Sequence, residues 1–521
     1  TFDKYFKNRK RFATPYTLYQ WDGNPEHVLT PAKKGPATPE LNEQRTDQTF
    51  WMLNGVLDYS RNFGDHFVGV TVGMEGEKRE QDYVNAYRKY FQAASKDDLD
   101  LGGVSEMSNS GNSWEEARLN YFGRVTYNYK ERYLLEFVWR ADGSYRFPKD
   151  KRYGFFPGVS AAWRASEEGW WKDNVKFIDY FKLRGSISQT GNDALLDTNG
   201  NLDRSIQYLN TYKFTGYYLF GSSYAPYLTP TRTPNPEITW EVGTTYNLGF
   251  DFKFLQNRLS WETDVFYHKR TNMLIYRNAS LPETSGITLP RENLGEMCNR
   301  GFESLIGWQA RAGKVDYDVS LNMTYAKNKI LYWDEVPGVP EYQQSTGHMA
   351  NTNLYYVYDG VFYDQAEVDA TTAKWPGARP GDIKFKDING DGKINADDRV
   401  RAGKNAEPKF VAGLTLGARW NNFDLMMLFQ GAMGGQTYVW RERAGEAGNL
   451  YKETFDNRWT PENPSHEHPR VYNRENEYWV SNQNTYYLKN TDYLRLKNVE
   501  LGYTIPAVKK VGIQDLRVYV N

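Results

Sequence analysis

The sequence predicts an all-β protein, a transmembrane antiparallel β-barrel, from three observations. Long segments alternate between apolar and polar residues with a period of two, as strands do when one face meets lipid and the other meets water. Aromatic residues make up 16% of the chain, with 40 Tyr and 16 Trp, which suits girdles at a membrane surface. Short and long connections alternate between successive strands, as in outer-membrane barrels.

Residues 118–142 show the alternation most clearly, as two strands joined by a tight turn at Lys130-Glu131. In the first strand one face carries charges and amides, and the other is apolar and aromatic. The apolar face consists of Leu119, Tyr121, Gly123, Val125, Tyr127 and Tyr129. A water-soluble sandwich also alternates, but long strands with an ionic second face favour a membrane barrel.

Composition excludes several other classes of protein. The 521 residues carry a net charge of -1, which gives no electrostatic reason to expect nucleic-acid binding. The mean hydropathy is -0.76, and no run of about 18 apolar residues occurs, so a helical membrane protein is not expected. Alternation hides half of each barrel strand from such an average. The single cysteine, Cys298, forms no internal disulfide and is expected to be unreactive.

About fourteen strands are predicted, after a polar segment at residues 1–47 that we interpret as a loop. Each strand alternates, and tight turns such as Gly64-Asp65 and Asn421-Asn422 join them into hairpins. The predicted strands are residues 49–60, 66–77, 118–129, 132–142, 153–164, 180–190, 241–254, 258–269, 301–311, 314–327, 409–420, 423–433, 492–505 and 514–521. A short helix is expected at residues 166–171.

The connections set the sidedness of the predicted barrel. Residues 78–114 are expected to be a long polar connection and residues 191–240 a long loop rich in Tyr and Pro, and the turns that alternate with such segments are short. Residues 328–408 must return to the side that they leave, because a short turn follows the next strand. We therefore predict long extracellular loops, including one at residues 328–408, and short periplasmic turns.

A calcium-binding loop is predicted at residues 387–398, which read Asp-Ile-Asn-Gly-Asp-Gly-Lys-Ile-Asn-Ala-Asp-Asp. The segment fits the template of a twelve-residue calcium-binding loop at its acidic, amide and glycine positions. At the twelfth position it has Asp in place of the usual Glu. The predicted Ca²⁺ ligands are Asp387, Asn389, Asp391, Lys393 through its backbone carbonyl, Asn395 and Asp398. No pair of flanking helices is evident, so the expected role is structural. The alternative is an Asp/Asn/Gly turn that binds no ion.

Other candidate sites are weaker. Aromatic residues in the loops are candidates for stacking on a ligand, with packing between loops as the alternative: Trp333, Tyr342, Tyr355, Tyr356, Trp375, Tyr478 and Trp479. His466-Glu-His468 lacks the helical spacing of a zinc site and is interpreted as a solvated loop. Asn278-Ala-Ser280 matches a glycosylation sequon, a pattern short enough to arise by chance. The sequence shows no phosphate loop, nucleophile elbow or zinc-binding Cys cluster, so no catalytic residue is predicted.

A series of short runs resembles the SusC/RagA family of TonB-dependent outer-membrane transporters of Bacteroidetes. Each run alone has modest specificity, but their order is specific, and together they extend from about residue 49 onward. The runs are Phe63-Gly-Asp-His66, Arg140-Ala-Asp-Gly-Ser-Tyr-Arg-Phe147, Gly154-Phe-Phe-Pro-Gly-Val-Ser160, Leu183-Arg-Gly-Ser-Ile-Ser-Gln-Thr-Gly-Asn192, Asn235-Pro-Glu-Ile-Thr-Trp-Glu241, Asn293-Leu-Gly-Glu296, Arg300-Gly-Phe-Glu303, Pro380-Gly-Asp-Ile-Lys-Phe-Lys-Asp-Ile-Asn-Gly-Asp-Gly392 and Tyr493-Leu-Arg-Leu-Lys-Asn-Val499.

The resemblance implies a barrel of about 22 strands, of which about 14 would be present in residues 1–521. It implies that a plug domain and a TonB box lie outside this chain, as do the early strands and the last one. It also implies a SusD-like surface lipoprotein as partner and energy supplied through TonB by the missing N-terminal region. The calcium-like loop is similar to a stretch common in the family, and the resemblance assigns no catalytic residue.

The sequence therefore predicts a multi-pass barrel in the outer membrane, in contact with its lipid, that imports oligosaccharides or peptides and is not an enzyme. One alternative is a SusC-like barrel that serves as a scaffold in a larger outer-membrane complex. A barrel-embedded hydrolase would need a convergent Ser/His/Asp set, which we do not find. A soluble calcium-dependent carbohydrate-binding protein would need to dissolve without detergent.

Overall fold

A wall of fifteen antiparallel strands dominates the computed structural model. The described residues are 1–21, 28–92, 95–195, 202–277, 289–439, 451–471, 477–505 and 516–521. Each wall strand pairs antiparallel with the wall strand that follows it along the chain. The predicted all-β antiparallel class is confirmed.

The wall strands, numbered here in chain order, are β1 (Phe2–Ala13), β2 (Glu40–Phe63), β3 (His66–Lys89), β4 (Ser108–Tyr129), β5 (Tyr133–Ser144), β6 (Tyr153–Trp163), β7 (Ile178–Asn192), β8 (Glu241–Phe254), β9 (Leu259–Tyr276), β10 (Arg291–Ala312), β11 (Val315–Tyr332), β12 (Phe410–Trp420), β13 (Phe423–Met433), β14 (Tyr493–Ile505) and β15 (Leu516–Val520). Fourteen of them correspond to predicted strands. For the last, the predicted residues 514 and 515 lie outside the described part of the chain.

The remaining strand is β1, so the prediction of a loop over residues 1–47 is wrong. All of β1 pairs with β2, from Phe2 opposite Trp51 to Ala13 opposite Glu40. Aromatic and charged residues occur on both faces of β1, and most of its side chains are exposed. An alternation between apolar and polar residues is therefore missing from a segment that is nonetheless a strand.

Several strands extend further than the alternation indicates. β2 and β3 pair without interruption over 24 residues each, from Glu40 opposite Lys89 to Phe63 opposite His66. The predicted connection at residues 78–114 is wrong for residues 78–89 and 108–114, which belong to β3 and β4. A tilted strand of about 9–11 residues suffices to cross a bilayer. The distal parts of these strands therefore extend beyond the lipid, where neither face has to be apolar.

The two faces of the wall differ in polarity. Outward side chains are apolar and exposed, with Leu53 and Leu57 of β2 at 68% and 70% exposure. Inward side chains form ion pairs between neighbouring strands, such as Arg124 of β4 with Glu136 of β5. This is the arrangement expected of a wall with lipid outside and water inside.

The connections between wall strands alternate between short and long, as predicted, except that residues 145–152 of the long set are fewer than residues 164–177 of the short set. The short ones are residues 64–65, 130–132, 164–177, 255–258, 313–314 and 421–422. Four of the long connections carry short strand pairs, which are Tyr16–Trp21 with Leu29–Lys34, Tyr212–Phe220 with Ser223–Pro230, Leu354–Tyr356 with Arg399–Arg401, Tyr358–Val361 with Ile383–Phe385, and Gln436–Tyr438 with Leu488–Asn490.

Helices are few and short among the described residues. The α-helices are Gly169–Asn174, Gln365–Ala370, Lys452–Asn457 and Tyr478–Ser481, and the 3-10 helices are Leu99–Leu101, Ala165–Glu167, Glu341–Gln343, Ala396–Asp398 and Thr485–Tyr487. The helix predicted at residues 166–171 is thus two short helices. In the described ranges, every helix falls short of the length and hydrophobicity that a transmembrane helix requires.

Candidate functional site

An ion-pair network crosses three strands on the inward face of the wall. Arg184 of β7 bonds Asp251 of β8 at 2.7 Å and Asp264 of β9 at 2.9 Å through Nη2. These side chains are only partly exposed, so each carboxylate gains a charge-assisted hydrogen bond in a place with restricted access to water. The inward carboxylate of Asp264 is thus held by an arginine.

Gly249 of β8 makes room for this network. In the strand register it lies opposite Arg184 on one side and Asp264 on the other. A Cβ atom at this position would lie 2.5 Å from Asp264 Oδ1 and 2.7 Å from Arg184 Cζ. The guanidinium reaches across β8 because that strand has no side chain here.

A second network ties a long connection to the wall. Arg118 of β4 bonds Glu77 of β3 at 2.8 Å and Asp193, in the connection after β7, at 3.0 Å. Next to it, the guanidinium of Arg146 is 1% exposed and lies 3.6 Å from the carboxylate of Glu116. The contacts of Arg118 hold the start of the connection at residues 193–240 against β3 and β4.

Two other long connections pack against each other. We call the described residues of 333–409 and 434–492 the cap. Tyr356 lies beside Asn484 in a parallel bridge, and its N–H donates to the Gln483 carbonyl at 3.0 Å. The core of the cap is aromatic and aliphatic and consists of Tyr356, Val361, Ile383, Phe385, Ile394, Trp479, Val480 and Tyr487. Residues 328–332 of the predicted long loop at residues 328–408 belong to β11, and the rest of that loop forms the cap together with the second connection.

A buried carboxylate joins the two halves of the cap. Asp382 is 1% exposed, and its Oδ1 accepts hydrogen bonds from Arg470 Nε at 2.7 Å and from Trp479 Nε1 at 3.1 Å. Glu477 forms ion pairs with Arg470 Nη2 and with Arg379 Nη2, each at 2.9 Å. Burial opposes ionisation of Glu477, but the hydrogen bonds from the two arginines lower its pKa below the ordinary value. Sequence reasoning missed this network, although Asp382 lies within one of the runs that carry the family resemblance.

The predicted calcium loop folds around its first and last carboxylates. Asp387 accepts hydrogen bonds from the N–H groups of Gly390 at 2.7 Å and Gly392 at 2.9 Å. Asp398 is fully buried and accepts from Ile388 N–H and Asn395 N–H, both at 2.8 Å. The two ends of the loop are therefore locked together by side chain to backbone bonds.

The intermediate ligand candidates form local turns. Asn389, Asp391 and Asn395 each accept a hydrogen bond from the N–H two residues further along, at 3.0, 2.8 and 2.7 Å. Gly390 and Gly392 have φ values of +74° and +78°, which glycine adopts without strain. All six predicted ligands lie in one tight loop. Across the described residues, no group of three or more His, Cys, Asp or Glu side chains is arranged to hold a metal ion.

The aromatic candidates fall into two groups. Tyr355 is 6% exposed and Trp479 fully buried, while Trp375 packs on the ring of Tyr478 with centroids 5.5 Å apart. These three contribute to packing within the cap, which was the alternative interpretation. Trp333 and Tyr342 are half-buried, and the hydroxyl of Tyr342 donates to the Asp397 carbonyl at 2.8 Å. Tyr356 and Tyr478 also pack within the cap, and stacking on a ligand stays a prediction for all seven candidates.

The loop histidines make ordinary contacts. His466 stacks on Tyr363 with centroids 4.6 Å apart, and His468 Nδ1 lies 3.2 Å from the hydroxyl of Tyr486. The sequon at residues 278–280 lies outside the described part of the chain.

Curated proteins with similar sequences are TonB-dependent receptors. The chain is 29% identical over 501 residues to the TonB-dependent receptor P3 of Formosa agariphila. The aligned region covers 92% of this chain and 48% of that protein. It is 27% identical over 423 residues to the TonB-dependent receptor SusC of Bacteroides thetaiotaomicron. That aligned region covers 72% of this chain and 40% of that protein. The chain therefore spans about half the length of the curated relatives it matches.

A solved structure has the same fold. The structure of the RagAB peptide transporter superimposes with a TM-score of 0.73, over 99% of this chain and 55% of that chain, at 21% identity. The family model described as TonB dependent receptor-like, beta-barrel matches residues 2–521. The resemblance to SusC and RagA noted from the sequence runs is confirmed. The chain therefore belongs to the TonB-dependent receptor-like β-barrel family and is an outer-membrane β-barrel protein.

Proposed function

We propose that this chain forms the wall and cap of a TonB-dependent importer of oligosaccharides or peptides, working with a SusD-like surface lipoprotein. The observation that carries the proposal is the polar inward face of the wall, where charged groups such as Arg184 and Asp264 line the interior. A path of this kind suits hydrophilic ligands, which a lipid bilayer excludes. The likeness to the RagAB peptide transporter supports peptides as one ligand class.

The cap and the other long connections would lie on the extracellular side, including residues 328–408, and the short turns in the periplasm. There the cap would capture a ligand together with the lipoprotein. A plug domain outside these residues would gate the interior, and TonB would act through the N-terminal region of the longer protein. The proposed role is transport rather than catalysis.

The test is purification of the native full-length protein from outer membranes in mild detergent, with identification of every chain and small molecule that accompanies it. We expect one SusD-like lipoprotein and a peptide or oligosaccharide, detected by mass spectrometry. Several unrelated envelope proteins in a fixed ratio, without such a ligand, would contradict import and favour a scaffold.

We also propose that the loop at residues 387–398 binds a structural Ca²⁺ ion. Calcium prefers oxygen ligands, and the loop offers three carboxylates, two amide oxygens and the carbonyl of Lys393. Each side-chain oxygen that accepts one N–H keeps a further lone pair for a cation.

Asp391→Asn is the sharpest test of the calcium site. Asn keeps an oxygen for the turn to Lys393 N–H but removes a charge, so we expect Ca²⁺ affinity to fall at least tenfold in calorimetry. Asp397→Asn is the matched control, because Asp397 is exposed in the same loop and is not a predicted ligand. The absence of calcium binding in the unaltered protein, or equal loss in both variants, would contradict the proposal.

A further inference from the structure

The connection between β6 and β7 folds onto the outward face of the wall. We call residues 164–177 the indole flap. Trp171 of the flap stacks on Phe181 of β7, with centroids 5.3 Å apart and the rings 14° from parallel. Trp170 lies 6.4 Å from Trp163 at the end of β6. The two tryptophans of the flap therefore pack on the side of the wall that faces lipid.

The strand register confirms that these contacts lie outside the barrel. Trp163 lies opposite Tyr133, on the same face as the exposed Leu135. Phe181 lies opposite Phe252, whose ring stacks on Phe181 at 4.7 Å. All of these belong to the apolar outward face, at the end of the wall that carries the short turns.

A carboxylate holds the flap in place. Glu168 accepts hydrogen bonds from the Tyr133 hydroxyl at 2.6 Å, from Trp163 Nε1 at 3.2 Å and from Arg132 Nη1 at 3.3 Å. Its side chain is mostly covered. Three partners from β6 and from the β4–β5 hairpin thus fix the start of the helix Gly169–Asn174 against the wall.

The outer surface of the flap combines exposed apolar rings with lysines. Trp170 is 52% exposed and Phe177 is 69% exposed. Lys172 and Lys176 are exposed beside them, and Lys172 bonds Glu167 at 2.8 Å. Indole rings next to lysines are typical of the boundary between the acyl chains and the headgroups of a membrane. A lysine at that depth is attracted to lipid phosphate.

We propose that the indole flap docks into the headgroup region of the bilayer leaflet on the short-turn side. Trp170 and Phe177 enter the boundary with the acyl chains, while Lys172 and Lys176 contact lipid phosphates. The surface is continuous with the lipid-facing wall through Trp171 and Phe181, so the same leaflet that surrounds the strands reaches the flap. The flap thereby sets the depth of the barrel on that side.

Depth measurement in lipid nanodiscs tests the proposal with the full-length protein. A fluorophore is attached at Phe177→Cys in a Cys298→Ser background, and its quenching by lipids spin-labelled near the headgroup is compared with two reference positions. Leu57→Cys, 70% exposed on the outward face of β2, reports full contact with lipid, and Val336→Cys, 52% exposed in the cap, reports water. We expect quenching at 177 at least twofold above that at 336. Quenching at 177 equal to that at 336 would overturn the proposal.

The lysines are tested separately. In the Lys172→Gln, Lys176→Gln double variant, the fluorophore at 177 is expected to lose at least a third of its quenching by headgroup-labelled lipid. The Leu57→Cys position is expected to keep its value, which shows that the wall stays folded and in lipid. Unchanged quenching at 177 would overturn the contact between these lysines and lipid phosphates.

Discussion

The wall and the cap are stabilised in different ways. In the wall, neighbouring strands meet in long registers, and inward ion pairs such as those of Arg184 with Asp251 and Asp264 join adjacent or next-adjacent strands. In the cap, a core of eight buried residues and the Asp382 network join two connections that lie about 90 residues apart in the chain. The comparison indicates that the cap can be weakened by single changes that leave the wall intact.

The largest effect is expected from Trp479→Ala. Truncation of a fully buried Trp costs about 3–5 kcal/mol, and here it also removes a hydrogen bond to Asp382. We expect amide hydrogens throughout the cap to exchange faster, while those of the wall keep their protection in hydrogen-exchange mass spectrometry. Trp420→Ala serves as the control, because Trp420 is 53% exposed at a turn of the wall. Loss of protection in the wall as well would show that the two parts unfold together.

A smaller effect is expected in the wall from Arg184→Met. Removal of the guanidinium takes the ion-pair partner from the partly covered Asp264 and leaves Asp251 with Lys182 alone, 3.8 Å away, at a cost of about 1–3 kcal/mol. We expect a lower urea midpoint for the barrel, and partial recovery when Asp264→Asn is added. Lys4→Gln is the control, because Lys4 and Asp47 form an exposed pair at 3.7 Å that contributes less than about 1 kcal/mol. Equal losses in both variants would contradict a special role for the interior network.

Gly249→Ala tests the same network without removing a charge. The added Cβ would stand 2.5 Å from Asp264 Oδ1, so the guanidinium or the carboxylate must shift. We expect a loss of about 1–2 kcal/mol from overpacking, again as a lower urea midpoint. At Gly76 of β3 the nearest atom to an added Cβ is Leu119 Cδ1 at 3.8 Å, so Gly76→Ala is expected to be nearly neutral. A neutral result at both positions would mean that β8 adapts without strain.

The same contrast explains which features the sequence could predict. Wall strands between lipid and water carry a local period of two, so fourteen were recognised, whereas β1 has no apolar face and was missed. The turns of residues 387–398 were predictable because their hydrogen bonds join residues close in sequence, as Asp391 does with Lys393 N–H. The bond from Arg470 to Asp382 spans 88 residues and leaves no periodic trace. The packing of Trp171 on Phe181 was hidden for a related reason, since a short connection gives no sign of which side of the wall it folds onto.

The smallest effect is expected from Glu477, and it depends on pH. Hydrogen bonds from Arg470 and Arg379 overcome the effect of burial and lower the pKa of Glu477 in the folded cap. Its contribution is therefore fully present above the unfolded pKa, about 4.3, and is lost as the pH falls through the lower folded pKa. We expect Glu477→Gln to weaken the cap by about 1 kcal/mol at pH 7 and the difference from the unaltered protein to shrink toward zero near pH 3. A fluorophore at Val336→Cys would follow cap unfolding in urea at both pH values, and Glu462→Gln, at an exposed position of the cap, gives the reference for loss of an acidic charge. A difference between the Glu477 variant and the unaltered protein that stays constant from pH 7 to pH 3 would show that the carboxylate acts through its shape rather than its charge.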